Sequence, residues 1–386
     1  MRDNLRILRI STVPHSLHLL LKGQLKYMNS KGLEVFMASS YGPEIEELEQ
    51  QEKAKHYVVP LSRQLNPIKD LIALYHLIKL ILKLKPDIVH THSPKAGTVG
   101  MMAARICNVR LKIHTVAGLP LMETSGFKRK LLIAVERITY KCADWVLPNS
   151  VKQMDFIKSN ISSSSKIKII GKGSSNGIDL DYFKKSADYK EERASLRLKY
   201  GISENDLVLI FVGRLTGSKG VNELVECFKV LLNKYPSLKL LLVGPFEDIN
   251  PLEPETIKEI EINNSIITTG HQKDIRPFLT LADIFVFPSY REGFPQSLMQ
   301  ANAFELPCIA SDINGCNEII FDDYNGYLIP PKDLTALINC CELLINDSNK
   351  RVQLGSTGRE YLSKYFEQKI FWQMIYTFYI ENLRDK

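Results

Sequence analysis

A chain of 386 residues is too long for one ordinary hydrophobic core and points to two domains, and its 45% hydrophobic content with mixed charges excludes a disordered chain. No apolar run approaches the ~20 residues that span a bilayer. The opening MRDNLRILRI is interrupted by Arg6 and Arg9, so no signal peptide is read and a cytoplasmic location is expected.

The net charge of +7 hides a split: residues 1–180 carry 27 Lys and Arg against 14 Asp and Glu, and the remainder carries 23 against 29. A basic half suits an anionic partner. No nucleic acid is expected, because no binding motif or aromatic-basic platform is present. An anionic membrane surface or a lipid-diphosphate acceptor fits better. Candidate contacts are Arg2, Arg6, Arg9, Lys22, Lys26 and the patch Lys128-Arg129-Lys130, which opens an apolar helix. The seven cysteines form no Cys-x-x-Cys pair and read as reduced thiols rather than a disulfide framework or a zinc site.

In chain order, apolar runs at 5–11, 33–39, 56–59, 88–92, 111–115 and 145–149 alternate with helical patterns that include 17–30, 67–84, 97–107 and 128–143. A Gly-, Ser- and Asn-rich seam follows at 171–190. The second half repeats the scheme, with strands expected at 207–212, 239–243, 266–269, 284–287 and 308–310. Period-2 runs alternating with 3.6-period runs mean parallel sheets covered by helices. Doubly wound domains of that kind bind ligands at the carboxyl ends of their strands.

Several segments carry residue types suited to chemistry. The turn at 11–18, STVPHSLH, feeds a helix expected over 19–28 whose first N–H groups would be free. Strand alternation puts His90 and His92 on one face, a pairing that suits zinc. No third and fourth ligand is in sight, so His90 is read as structural and no metal is expected. Asp179-Leu180-Asp181 imitates a metal-binding Asp-x-Asp but lies in a polar turn, so Asp179 is read as a turn or capping residue. After a buried strand come Gly213-Arg214-Leu215 and Lys219-Gly220. Arg214 offers a planar fork of donors and Lys219 a mobile point charge, both suited to a diphosphate.

The richest stretch is PSYREGFPQSLMQANAFELPCIAS at 288–311. A strand ends at Pro288, a turn carries Glu292, Gly293, Phe294 and Pro295, and a helix starts near Ser297 with free N–H groups that favour an anion. A carboxylate beside a phosphate site supplies acceptors for sugar hydroxyls. The two together read as a sugar-nucleotide site. Thr269-Gly270-His271 ends another strand, with backbone groups placed to read the base.

These motifs resemble the donor site of glycosyltransferase family 4, the retaining group with the GT-B fold. The family pattern is Glu-Gly-Phe-Gly, a second Glu eight positions after the first, and Gly-x-Pro before the next strand. Glu292, Gly293 and Phe294 match; Pro295 replaces the Gly, Gln300 the second Glu, and Glu305 the Gly ahead of Leu306-Pro307. The resemblance implies an α/β chain of two facing doubly wound Rossmann-like domains with an interdomain cleft. Residues 1–180 would bind the acceptor, joined by a crossover helix within 367–386, and residues 181–366 would bind the nucleotide sugar. Arg214 and Lys219 would neutralise the leaving diphosphate, Glu292 would hold sugar hydroxyls, and His114 would contact the donor sugar. Gln300 would hold the ribose with one accepted and one donated bond but no charge. Gly213, Gly270, His271, Gly293, Phe294 and Pro295 complete the donor side. His18, His92 and Lys95 fall to the acceptor, with Gly97 and Gly118 lining the same cleft.

The stretches HTHSPKAG, IHTVAGLP, PSYREGFP and GCNEII are similar to bacterial transferases that build capsule, O-antigen or N-glycan precursors on undecaprenyl diphosphate. The expectation is a retaining, metal-independent enzyme without a cofactor. It would move an N-acetylhexosamine from a UDP-sugar to an undecaprenyl-diphosphate-linked acceptor, peripheral at the inner face of the plasma membrane. A UDP-sugar epimerase is one rival, although no cluster of acid-base groups beside the sugar is apparent. A non-catalytic sugar-nucleotide-binding protein is the other, suggested by Gln300 and Glu305.

Overall fold

The computed structural model describes residues 4–62, 66–119, 121, 124–185 and 189–384; Arg2, named above as a membrane contact, lies outside them. The chain divides into two units, Met1–Gly177 with Gln368–Lys386, and Ile178–Glu367. This division falls within the seam expected at 171–190, three residues before the domain boundary after Leu180 that the family resemblance implies. The change of unit falls where the Ile178 N–H donates to the Phe366 carbonyl at 2.8 Å and bridges to Glu367.

The first unit holds a six-stranded sheet of β1 (Arg6–Ile10), β2 (Glu34–Ser39), β3 (Lys55–Val58), β4 (Ile88–His92), β5 (Leu111–Val116) and β6 (Trp145–Pro148) in the order β3-β2-β1-β4-β5-β6. Every pairing is parallel. Its four inner strands are buried on both faces, as an all-parallel sheet requires. Leu8, Ile10 and Val89 pack under the helices Pro67–Leu84 and Pro94–Ile106, while Ile7, Ile88 and Leu111 pack under Gln24–Ser30 and the returning helix Gln368–Arg384.

The single helix expected over 17–30 is two, Pro14–Leu20 and Gln24–Ser30. The break is at Gly23, with φ 80°, where an added Cβ would fall 2.7 Å from the Trp372 ring of the returning helix. Only glycine satisfies both demands. The buried Glu52 carboxylate then accepts from the N–H groups of Gly23, Leu25 and Lys26 at 2.6, 3.0 and 3.1 Å, a negative charge on a helix N-terminus.

The second unit repeats the plan with β7 (Leu207–Val212), β8 (Leu238–Val243), β9 (Ile266–Thr268), β10 (Ile284–Phe287), β11 (Cys308–Ser311) and β12 (Gly326–Ile329), in the order β12-β11-β10-β7-β8-β9. The sequence missed β12. It is a four-residue edge strand that opens on glycine and runs into Pro330-Pro331, so it carries no alternation to read. The helix Gln296–Ala303 closes in a Schellman motif, with Leu306 N–H to Ala301 O and Glu305 N–H to Asn302 O, both at 3.1 Å. Glu305 therefore adopts φ 58°, which explains a glycine preference at this position.

Among the described residues, no helix is long and apolar enough to cross a membrane. All seven cysteines are free.

Candidate functional site

In the second unit, β7 and β10 are neighbours at the point where the strand order reverses, the place where open parallel sheets bind ligands. The loop after β7 carries Gly213, Arg214 and a single 3₁₀ turn, Gly217–Lys219; the loop after β10 carries 288–295. Gly220, with φ 70°, lets the two loops touch, since a Cβ there would lie 2.1 Å from the Pro288 carbonyl oxygen. Tyr290 N–H donates to Ser218 O at 3.0 Å and ties them again.

This close approach brings Lys219 and Glu292 together as an ion pair, with side chains only 15% and 12% exposed. The Lys219 ammonium also lies 5.8 Å from the Phe287 ring centroid. Behind Glu292, the Asn314 amide donates to the carbonyls of Glu292 and Gly293 at 3.2 and 3.4 Å. Gly315 approaches so closely that a Cβ would sit 2.5 Å from Gly293 O. Asn314 was not anticipated from the sequence. The glycine-containing run GCNEII, beginning at Gly315, was the available signal.

The helices Val221–Lys234 and Gln296–Ala303 start at these two loops. Their first intrahelical bonds come from Leu224 and Met299, so the N–H groups ahead of them point out of the helix ends. Arg214 is placed differently from Lys219. It donates to Glu247 at 2.7 Å and is 56% exposed, so the structure pairs the two expected diphosphate ligands with different carboxylates. Phe294 is buried against Phe366, with ring centroids 5.4 Å apart, and Pro295 is the N-cap of Gln296–Ala303. Gln300 is half-buried one turn into that helix. Gly213 ends β7, its N–H donating to Val243 O at 2.9 Å. Beyond β9, Gly270 has φ 66° and His271 is exposed.

In the first unit, the expected residues fall on two faces of one sheet. His114 is buried on the face covered by Pro94–Ile106, with Nδ1 2.9 Å from Thr91 Oγ1. Burial pushes its pKa down to about 4, so it is neutral near pH 7. Gly97 permits this packing, because a Cβ would fall 2.3 Å from His114 Cε1. Gly97→Ala is expected to displace the imidazole and cost about 1–3 kcal/mol, the usual range for overpacking. A urea midpoint unchanged from wild type would show that the ring gives way freely. Lys95 donates to Asp70 at 2.7 Å. His18, half-buried in Pro14–Leu20, has its pKa lowered first by burial.

His92 lies on the other face, in a buried network the sequence did not reveal. Arg9, read above as a membrane contact, is fully buried. It donates to His92 Nε2 at 3.2 Å, to Tyr379 Oη at 2.7 Å and to Gln24 Oε1 at 2.7 Å. The guanidinium can only donate, so His92 accepts at Nε2 and its proton sits on Nδ1. Tyr379 accepts from Arg9, and its Oη lies 2.6 Å from His90 Nδ1, while His90 Nε2 lies 2.7 Å from Thr115 Oγ1. Both imidazoles are held well below their ordinary pKa, by burial first and the Arg9 charge second.

His92 Nδ1 has no partner among the described residues, and His92 lines a cavity of about 10 Å³ with Thr115, Asn149, Ser174 and Ser175. That is room for one water molecule. A charged residue amid Ile7, Leu8 and Ile10 was the sequence signal for a buried arginine. Asp179 accepts from the N–H groups of Asp181 and Tyr182 at 3.0 and 2.9 Å, the turn role expected of it. No group of three or more His, Cys, Asp or Glu side chains that could hold a metal ion is found among the described residues.

The model for glycosyl transferases group 1 matches residues 192–361, and that for Glycosyltransferase Family 4 matches residues 22–182. The capsular polysaccharide biosynthesis glycosyltransferase CapM of Staphylococcus aureus is 31% identical over 99% of this chain and 98% of its own. The UDP-Gal:alpha-D-GlcNAc-diphosphoundecaprenol alpha-1,3-galactosyltransferase of Escherichia coli is 32% identical over 75% of this chain and 74% of its own. Among solved structures, HepE of Anabaena in complex with UDP and glucose superposes with a TM-score of 0.82 at 19% identity, over 98% of this chain and all of that one. The two parallel six-stranded sheets are those of the GT-B fold.

Proposed function

The chain belongs to the family 4 glycosyltransferases, and from that premise we propose that it moves a sugar from a UDP-sugar to a lipid-diphosphate-linked glycan acceptor in surface polysaccharide synthesis. The observation that carries this reading is the Lys219–Glu292 pair at the sheet's switch point, flanked by two helix N-termini. Lys219 and the helix N–H groups suit a diphosphate, and Glu292 suits sugar hydroxyls. The Staphylococcus relative named for capsular polysaccharide supports the process, and the Escherichia relative named for a diphosphoundecaprenol substrate supports the acceptor class. An N-acetylhexosamine is the donor sugar we favour, with galactose as the competitor that the Escherichia name raises.

The reaction proceeds with retention. The bond from the anomeric carbon to the diphosphate oxygen breaks, the acceptor hydroxyl bonds to that carbon on the same face, and its proton leaves with the diphosphate. Lys219 and Arg214 stabilise the charge that builds on the departing group, the kind of electrostatic role that can dominate a barrier. Gln300 stands beside the ribose, giving and accepting one bond each. His114, neutral at working pH, serves as a hydrogen-bonding group rather than a cation. His18 and Lys95 belong to the acceptor side, whereas His92, buried under Arg9, supports that side of the sheet without reaching the acceptor, and no metal takes part.

A panel of UDP-sugars incubated with a short-chain lipid-diphosphate glycan tests the proposal. Product is expected from one donor, with the anomeric configuration kept by NMR and the rate unchanged in EDTA. Epimerised donor without transfer would replace this reading with the epimerase. Loss of rate in EDTA, restored by manganese or magnesium, would end the metal-free mechanism.

A further inference from the structure

Between β11 and β12, residues 321–325 hold two aromatic side chains out in solvent: Phe321 is 41% and Tyr324 54% exposed. The segment is tightly built all the same. Asn325 is fully buried, its side-chain oxygen accepting from Phe321 N–H at 2.7 Å and its amide donating to Ile319 O at 2.9 Å. Tyr324 N–H donates to Phe321 O at 3.1 Å, and Asp323, at φ 56°, is clamped by Lys350 at 2.6 Å. Rings presented on so fixed a loop lose little freedom when something covers them.

The two rings form one wall of a surface dish of about 360 Å³. Glu360, Tyr361, Lys364 and Tyr365, from the helix Ser348–Tyr365, complete it. Phe321 and Tyr361 meet edge to face with centroids 5.0 Å apart, and Tyr361 lies 4.9 Å from Tyr365. Lys364 sits over the Tyr365 ring at 5.2 Å. The Glu360 carboxylate, one turn earlier, has no ion pair among the described residues. None of the residues assigned to the donor site lines the dish. Tyr361 does pack on Phe366 at 6.0 Å, and Phe366 on Phe294 of the donor loop at 5.4 Å.

We infer that this dish is a second carbohydrate site, holding a pyranose of an uncharged oligosaccharide apart from the donor site. A pyranose turns a flat, slightly positive face of C–H groups toward the negative face of an aromatic ring and spreads its hydroxyls around the rim. Here the floor is aromatic. The rim offers a carboxylate that accepts, an ammonium that donates and phenol groups that do either. The volume suits a small ligand rather than a protein partner, which needs roughly 800 Å² on each side. One carboxylate against one ammonium leaves no net charge to draw a nucleotide, a nucleic acid or an anionic polymer. The inference rests on the transferase reading for the source of the glycan, but its evidence is the dish alone.

The experiment is saturation-transfer NMR on the full chain with three soluble tetramers: chitotetraose, cellotetraose and galactotetraose. Transfer to the ring C–H protons of at least one is expected. Phe321→Ala with Tyr324→Ala should weaken that binding about tenfold, the scale for losing aromatic contacts. Phe321→Tyr with Tyr324→Phe keeps both rings and should bind as wild type. Lys219→Met, in the donor site, should leave the signal unchanged. Both ring variants should keep wild-type turnover with the short-chain acceptor. Silence from all three tetramers, or a signal that the double alanine variant retains, would overturn the inference. So would a proline-rich peptide held more tightly than every tetramer, which would make the dish a peptide groove. Saccharide binding that behaves as expected in a protein inactive on every donor would leave the site standing and remove the transferase reading. Normal transfer without any saccharide signal would do the reverse.

Discussion

Lys219→Met is expected to lower transfer by about 10²-fold or more, the scale for removing one charged donor from a developing anion. The same loss is expected of Glu292→Gln. The two side chains hold each other in a largely buried pair, so either substitution leaves a lone, poorly solvated charge and should also lower the melting temperature. The double substitution separates the two effects. It removes both charges, so stability should recover while transfer stays low. If the double variant regains activity with its stability, the pair is only a brace and the diphosphate is held elsewhere. Arg214→Ala is the companion case. Its partner Glu247 lies at a solvated position, so stability should change by no more than about 1 kcal/mol while turnover falls. Wild-type turnover in that variant would remove Arg214 from the mechanism.

Acid is expected to unfold the first unit selectively. Burial first depresses His114 and His56 to about 4, and His90 and His92 well below the ordinary imidazole value. Unfolded, each takes its proton near pH 6.5. Between about pH 6.5 and 4 the unfolded chain therefore binds more protons than the folded one, so stability falls as pH falls. His114 alone accounts for roughly 3 kcal/mol across that window, at 1.36 kcal/mol per pK unit. The chain's two tryptophans, Trp145 and Trp372, both lie in the first unit, so their fluorescence follows it alone. The urea midpoint should drop clearly from pH 7 to pH 5. His114→Gln, which keeps a hydrogen-bonding group beside Thr91, should flatten part of that slope. A midpoint that stays level over this range would show that the imidazoles can be protonated in place.

The sequence by itself determined the architecture and the location of the donor site. Alternating apolar runs named eleven of the twelve strands, because strands buried on both faces must be continuously apolar. The loops after β7 and β10 were recognisable because glycines, an arginine, a lysine and a carboxylate crowd into short turns ahead of helices. Tertiary structure decided which of these residues meet. Nothing in the spacing says that Lys219 takes Glu292 while Arg214 takes Glu247; that follows from Gly220 passing under Pro288, a contact between segments 68 residues apart. Arg9 makes the same point more sharply. Read along the chain it is one more basic residue in a basic half, free to meet a membrane. Folded, it is fully buried and donates both to His92 and to Tyr379, a residue 370 positions away. A buried cation needs partners on every side, and only the sheet and the returning helix could bring them. Likewise, the apolar pattern of residues 67–84 shows a helix but does not say which half of its apolar surface the core will leave uncovered.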